Sequence, residues 1–323
     1  MTSVTVERGH VFTTAGDTPL GLDLYRAHQA DAPLVLYVHG GGWRSGDKAD
    51  AGAERLLPLA AYGVTVASVD YRLVPGATFP DQVHDLKGAV RWLRAYGPSL
   101  GVRTDQLGIW GASAGAYLGS LLALTAGEVE FEGTVGGNLE QPSDVQAVVH
   151  WFGQSDLVVS GSRSDIEARL LPFAFEAGLL GVSSMAEAAD RAQGLSLLAR
   201  VSPTAPPFLI AHGDRDHVVA PSEGEALHDA LSRAGADTQF MLLGGAGHEG
   251  PEFRSIHHAR HDRSMAEKQA DRPRLVMTVW LFHKRGWHRA CRAGETRAAG
   301  RCRRRDSRAP APGRAGGVAA TDR

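Results

Sequence analysis

With 323 residues, 43% of them hydrophobic and 22% charged, the chain holds enough apolar material for one large soluble domain or two small ones. Its two cysteines, Cys291 and Cys302, both lie near the C-terminus, which excludes a disulfide framework or a cysteine-based metal site ahead of them. The net charge of −2 conceals a division: residues 1–253 carry 16 Lys and Arg against 30 Asp and Glu, net −14, whereas residues 254–323 carry 18 against 6, net +12.

Met1 to His10 lacks a basic segment followed by an apolar one, so no signal peptide is expected. Val4 to Phe12 and Leu20 to His28 read as a strand pair around a Gly-Asp turn. Pro33 to Val38 is a continuous apolar run, as a strand buried on both faces should be. A helix is expected over Ala49 to Tyr62 and a short buried strand over Val64 to Val69. Asp81 to Tyr96 has helical spacing, with Val83, Leu86, Val90 and Leu93 on one stripe. Gln106 to Trp110 reads as a strand and Ser113 to Leu124 as an apolar helix. Val145 to Trp151, Pro207 to Ala211 and Thr238 to Leu242 read as three further strands, the last two separated by a helix over Pro221 to Ala234. Alternating strands and helices predict an α/β fold with a mostly parallel sheet covered on both faces.

Residues 155–200 interrupt the rhythm with Ala- and Leu-rich helical pieces. They are expected to form a small lid-like insertion in a domain spanning 1–253. From about Ser255 the chain turns rich in Arg and His, then in Ala, Pro and Gly. Three readings stand for residues 254–323: a disordered basic extension, a nucleic-acid-binding arm, or out-of-frame translation after an indel near codon 255. No folded nucleic-acid motif accompanies the charge, so no nucleic-acid partner is expected. Leu275 to Phe282 is too short to span a bilayer, and a cytoplasmic protein without a membrane partner is expected.

Four segments carry chemistry. In Gly111-Ala112-Ser113-Ala114-Gly115, a strand runs into the serine and an apolar helix leaves it. So sharp a turn strains the backbone at the serine and tolerates only small neighbours. The serine then stands at a helix N-terminus, which favours a developing negative charge. His39-Gly40-Gly41-Gly42-Trp43 follows a buried strand, and its glycines let backbone N–H groups approach an oxyanion. His212-Gly213-Asp214-Arg215-Asp216 offers two carboxylates. Asp216 is the expected triad acid, with Asp214 bracing the loop. Gly244-Gly245-Ala246-Gly247-His248-Glu249-Gly250 places His248, the expected general base, on a loop that can reach the serine. Trp43 and Trp151, with Phe152, Phe173 and Phe175, are candidates for the substrate pocket. No metal or organic cofactor is called for.

These four motifs resemble the α/β-hydrolase superfamily, in its His-Gly-Gly-Gly esterase and lipase branch. That branch includes hormone-sensitive-lipase-like and acetyl- or feruloyl-esterase-like proteins. His39 to Trp43 followed by Ser45-Gly46-Asp47-Lys48 is most similar to the latter, and Asp70-Tyr71-Arg72-Leu73 and Phe79-Pro80 followed by Asp85 also match. The resemblance covers about residues 15–253. It implies an eight-stranded sheet and a serine esterase working through an acyl-enzyme on a small-molecule ester of short-chain or acetyl type. The oxyanion donors would be the N–H groups of Gly41, Gly42 and Ala114, and Asp70 to Leu73 would brace the active-site loops. The chain order Ser113, Asp216, His248 is the one this fold uses. An amidase resembling kynurenine formamidases is an alternative, as is a catalytically inactive relative. A peptidase of the prolyl-oligopeptidase type is disfavoured because no propeller domain precedes the hydrolase.

Overall fold

A computed structural model describes residues 4–162 and 174–255. Eight strands form one sheet: β1 (Thr5–Ala15), β2 (Thr18–Arg26), β3 (Leu34–Val38), β4 (Thr65–Val69), β5 (Leu107–Ala112), β6 (Ala147–Trp151), β7 (Phe208–Gly213) and β8 (Thr238–Leu243). Their order across the sheet is β1-β2-β4-β3-β5-β6-β7-β8. β1 and β2 form an antiparallel hairpin, and β2 pairs antiparallel with β4. From β4 to β8 every pairing is parallel. The sheet is the mostly parallel one that the alternating pattern predicted, and its eight strands are those implied by the resemblance to the α/β-hydrolases.

The uninterrupted apolar runs follow from burial on both faces. Leu34, Leu36 and Val38 of β3 join the core beneath one face, while Val35 and Tyr37 join the core beneath the other. Ile109 and Trp110 of β5 divide in the same way, as do Val148 and Val149 of β6. The first face is covered by helices α2 (Asp81–Tyr96) and α3 (Ala114–Leu124). Val83, Leu86, Val90 and Leu93 of α2 are fully buried there, as their stripe required. Leu56, Leu59 and Phe253 pack on the opposite face.

Ala49 to Tyr62 departs from the single helix expected. A π-helical turn over Gly52–Leu56 runs into helix α1 (Leu57–Ala61). The reason lies just upstream. Asp47 and Asp50 spend their carboxylates on local backbone donors, Asp47 Oδ1 accepting from Ala49 N and Asp50 Oδ2 from Asp47 N, which offers the chain a turn instead of a helix. Among the described residues of 155–200 there are helical pieces and no strand. Their Leu157, Leu179, Leu180, Leu195 and Leu197 join the core under α3. Phe173 and the whole basic tail from residue 256 lie outside the described residues. Among those described, no helix is long and apolar enough to cross a membrane.

The topology creates a crevice. β3 and β5 are neighbours, yet the chain proceeds from β3 toward β4 on one side and from β5 toward β6 on the other. Loops leaving the C-terminal ends of two such strands splay apart, and an open α/β sheet binds its ligand there. The glycine loop leaves β3 and the serine turn leaves β5.

Candidate functional site

Ser113 has φ 53° and ψ −123°, a backbone conformation rare outside glycine. It is locked from both sides. Its N–H donates to Trp151 O at 2.9 Å, and its carbonyl accepts from Ala116 N at 2.9 Å. The flanking glycines are obligatory. A Cβ on Gly111 would stand 2.2 Å from Gly115 O, and one on Gly115 would stand 2.3 Å from Val38 O and 2.4 Å from His39 O. The strained turn holds the serine side chain above the end of the sheet.

Ser113 Oγ lies 2.9 Å from His248 Nε2, and His248 Nδ1 lies 2.7 Å from Asp216 Oδ2. The structure thus brings Ser113, His248 and Asp216 into one hydrogen-bonded line from three separate loops. The Asp216 side chain is fully enclosed, while that of His248 is 16% exposed. Burial would raise the Asp216 carboxyl, but hydrogen bonds from His212 and His248, the His248 charge and the Val219 N–H together hold it well below the usual carboxylate range. Asp214 does not reach the histidine. Its Oδ1 accepts the Gly245 N–H at 2.7 Å and ties the two loops together.

The glycine loop closes a second side. Arg44 N, Ser45 N and Ser45 Oγ all donate to Gly41 O, which folds residues 41–45 into a tight turn. Gly41 and Gly42 line a cleft of about 540 Å³ together with Ser113, His248, Gln154 and Phe175. Phe175 lies so close that a Cβ on Gly42 would meet its ring at 2.4 Å. Ala114 is the first residue of α3, where N–H groups have no partner within the helix. The bracing expected of Asp70 to Leu73 is visible. Asp70 Oδ1 accepts Lys48 N at 2.9 Å, Tyr71 Oη donates to His39 O at 3.0 Å, and Arg72 Nη2 donates to Asp85 Oδ1 at 2.7 Å. Tyr71 also stacks on His39, and burial lowers the His39 imidazole.

Two expected pocket residues are corrected. Trp43 is completely buried, its Nε1 donating to Ala114 O at 3.1 Å and its ring set edge-on to Tyr117. It pins the glycine loop to α3 from below. Trp151 is 2% exposed, and its ring packs against Trp110 and Phe253 on the far face of the sheet. Only its carbonyl serves the site. Alternation along β6 sends this ring toward the second core, away from the crevice. Phe152, also raised as a pocket residue, is buried and sets its ring against His248 at 4.9 Å between centroids.

Sequence reasoning missed Arg55. This buried cation donates from Nη1 to Tyr37 Oη at 3.0 Å and pairs with Glu249 Oε1 at 3.6 Å. Its guanidinium also lies over the rings of Trp151 and Phe152. It therefore fastens the residue after His248 to the sheet. No sequence signal could have paired two charges so far apart in the chain.

The BD-FAE family model matches residues 22–231. The chain is 33% identical to "Esterase LipC" of Mycobacterium tuberculosis, over 72% of this chain and 58% of that protein. It is 30% identical to "Probable carboxylic ester hydrolase LipM" of the same organism, over 65% and 48%. The chain thus spans about half the length of the curated relatives it matches. A solved "Truncated form of carbohydrate esterase from gut microbiota" superposes with TM-score 0.73 at 26% identity, over 86% of this chain and 95% of that one. The chain belongs to the BD-FAE family, within the esterase and lipase branch of the α/β-hydrolases.

Proposed function

We propose that the protein is a serine carboxylesterase acting through an acyl-enzyme on small esters of short-chain or acetyl type. The observation that carries this reading is the unbroken line from Ser113 Oγ through His248 to Asp216, at 2.9 and 2.7 Å, on a serine held in a strained turn. His248 removes the Ser113 proton as Oγ attacks the acyl carbon. Asp216 fixes the tautomer of His248 and stabilises its charged form. The N–H groups of Gly41, Gly42 and Ala114 receive the oxyanion, each typically contributing about 3 kcal/mol to the transition state. The protonated His248 then gives its proton to the leaving alcohol, and water, with His248 again as base, releases the acid. The Phe175 ring against Gly42 narrows the cleft and supports a short acyl group.

Ser113→Ala should reduce hydrolysis of p-nitrophenyl acetate by at least about 10⁴-fold without changing the thermal midpoint. A fluorophosphonate should label Ser113 in the native protein. Retained turnover in the alanine variant would sink the assignment. A series from acetate to palmitate esters reads the acyl limit, and N-formylkynurenine as a substrate tests the amidase alternative.

A further inference from the structure

Two imidazoles meet at one oxygen of the Asp216 carboxylate. Oδ1 is occupied by backbone, accepting Val218 N at 2.8 Å and Val219 N at 3.0 Å. Oδ2 lies 2.7 Å from His248 Nδ1 and 3.2 Å from Nε2 of a second histidine, His212. His212 belongs to β7, four residues before Asp216, and its side chain is fully enclosed.

The tautomer of His212 follows from its surroundings. Nε2 faces two acceptors, Asp216 Oδ2 and Val219 O, the latter at 3.0 Å. A lone pair on Nε2 would oppose both, so Nε2 carries the proton. Among the described residues Nδ1 has no polar partner, and it abuts Gly224, where a Cβ would stand 3.0 Å away. A proton on Nδ1 would be a buried donor with nothing to receive it. The Nε2 proton is therefore the one that has acceptors, shared between the carboxylate and the Val219 carbonyl.

We propose that His212 is a positioning residue for the Ser113–His248–Asp216 system, a neutral Nε2–H donor that fixes Asp216 Oδ2 and withdraws part of its negative charge. The inference rests on the esterase reading of that system. The other titratable groups around His212 come from three directions. His150 lies on the adjacent strand β6, and its ring is held by Ser120 Oγ and Gly153 O. His248 comes from the loop after β8, beyond Asp216. From the helix Pro221–Arg233, Glu223 turns its carboxylate to Ser155 N, Ser155 Oγ and Asp156 N. His212 is thus the group whose proton is aimed at the oxygen that His248 uses.

A carboxylate that accepts a second hydrogen bond is a weaker base, so the Asp216–His248 pair takes up a proton less readily. Removing the donor should move the acid limb of the kcat/KM profile to higher pH, by about half to one unit. It should also lower kcat about tenfold, because Oδ2 loses one of the two side-chain donors that orient it toward His248, with KM unchanged. The experiment compares His212→Leu with His212→Gln, whose side-chain amide reaches the place of Nε2. The leucine variant should show the shifted limb and the glutamine variant should restore it. A folded leucine variant with the original limb would overturn the proposal.

Should the leucine variant fail to fold, the imidazole ¹⁵N resonances of His212 in the unaltered protein decide. A neutral Nε2–H tautomer across the active pH range supports the role, and an Nδ1–H tautomer or an imidazolium refutes it. Fluorophosphonate labelling of Ser113 separates the two levels. Labelled Ser113 with an unmoved limb removes only the role of His212, whereas unlabelled Ser113 removes the esterase reading beneath it.

Discussion

Gly115 shows how far the site depends on single atoms. Its missing Cβ lets the first turn of α3 rest directly on the carbonyls of Val38 and His39 at the end of β3. Those are backbone atoms and cannot rotate aside. Gly115→Ala should therefore destabilise the protein by about 3 kcal/mol and cut kcat/KM at least tenfold in the folded fraction, because Ala114 and the glycine loop are forced apart. Gly119 is the contrast. A Cβ there meets Ile109 side-chain carbons at 3.2 Å, which need give only a few tenths of an ångström, and Gly119→Ala lies inside a helix, so the change should stay within about 1 kcal/mol of neutral. Urea unfolding and ester kinetics on both variants check this. Equal behaviour of the two would contradict the steric account. At this scale the sequence was legible wherever chemistry needs a fixed spacing. Ser113 between its glycines, Asp216 and His248 could be named from their motifs. Trp43 and Trp151 could not be placed, because their position beside motif residues says nothing about which face their rings take. His212 was visible only as the first residue of the motif that ends at Asp216.

At the scale of elements, α2 and α3 were legible because long stripes of apolar residues have one period and one buried face. The excursion between α3 and β6 was less so, since it is held by charge. Lys87 Nζ donates to Thr125 O and to Glu132 Oε1, both at 2.7 Å. Arg91 Nη1 lies 3.2 Å from Glu132 Oε2, and Ser143 Oγ also donates to this carboxylate. The side chains of Lys87 and Arg91 are 0% and 2% exposed, that of Glu132 27%. Burial would raise the Glu132 carboxyl, yet the hydrogen bonds from Lys87, the Gly127 N–H and Ser143 leave it lowered, whereas burial pulls the Lys87 amine down. Removing this anion leaves two buried cations with backbone carbonyls as their remaining acceptors. Glu132→Gln should cost about 3 kcal/mol, the low end for a broken buried pair because Glu132 keeps some solvent. For a domain of this size that is a fall of about 6–12 °C in Tm. None of these residues lines the cleft, so kcat of the folded variant should stay within about twofold. A Tm change below about 2 °C would show that the cluster does not hold the excursion. The apolar stripe of α2 is legible in the sequence, but the common partner of Lys87 and Arg91, 45 and 41 residues further along, is not.

At the scale of the whole molecule, the buried histidines tie the stability of the core to the working pH. His150 is fully buried on β6, where Ser120 Oγ donates to Nδ1 and Nε2–H donates to Gly153 O. Burial is the dominant cause that brings its imidazole down to about 4, and burial lowers His39 in the glycine loop as well. In the unfolded chain both would titrate near the usual value of about 6.5. Between those limits the unfolded state binds more protons than the folded one, so stability falls as pH falls. The contribution of neutral His150 is complete above pH 6.5 and is lost progressively toward pH 4, amounting to about 3 kcal/mol for this one group. Asp216 acts in a different window. Its lowered carboxyl contributes stability above the usual carboxylate range and loses it only as pH falls below that range. Thermal midpoints measured at pH 7.5, 6.5, 5.5 and 4.5 should therefore be level at first and then decline. In His150→Gln the decline should be shallower, with the residue of it carried by His39. An equal Tm at pH 7.5 and 4.5 would refute the account. Because His150 bonds Ser120 in α3 and Gly153 in the loop beside Ser113, the acid opening should begin at the helix that carries the nucleophile. Fluorophosphonate labelling of Ser113 after a brief exposure to pH 4.5 and return to pH 7.5 reads whether that opening is reversible.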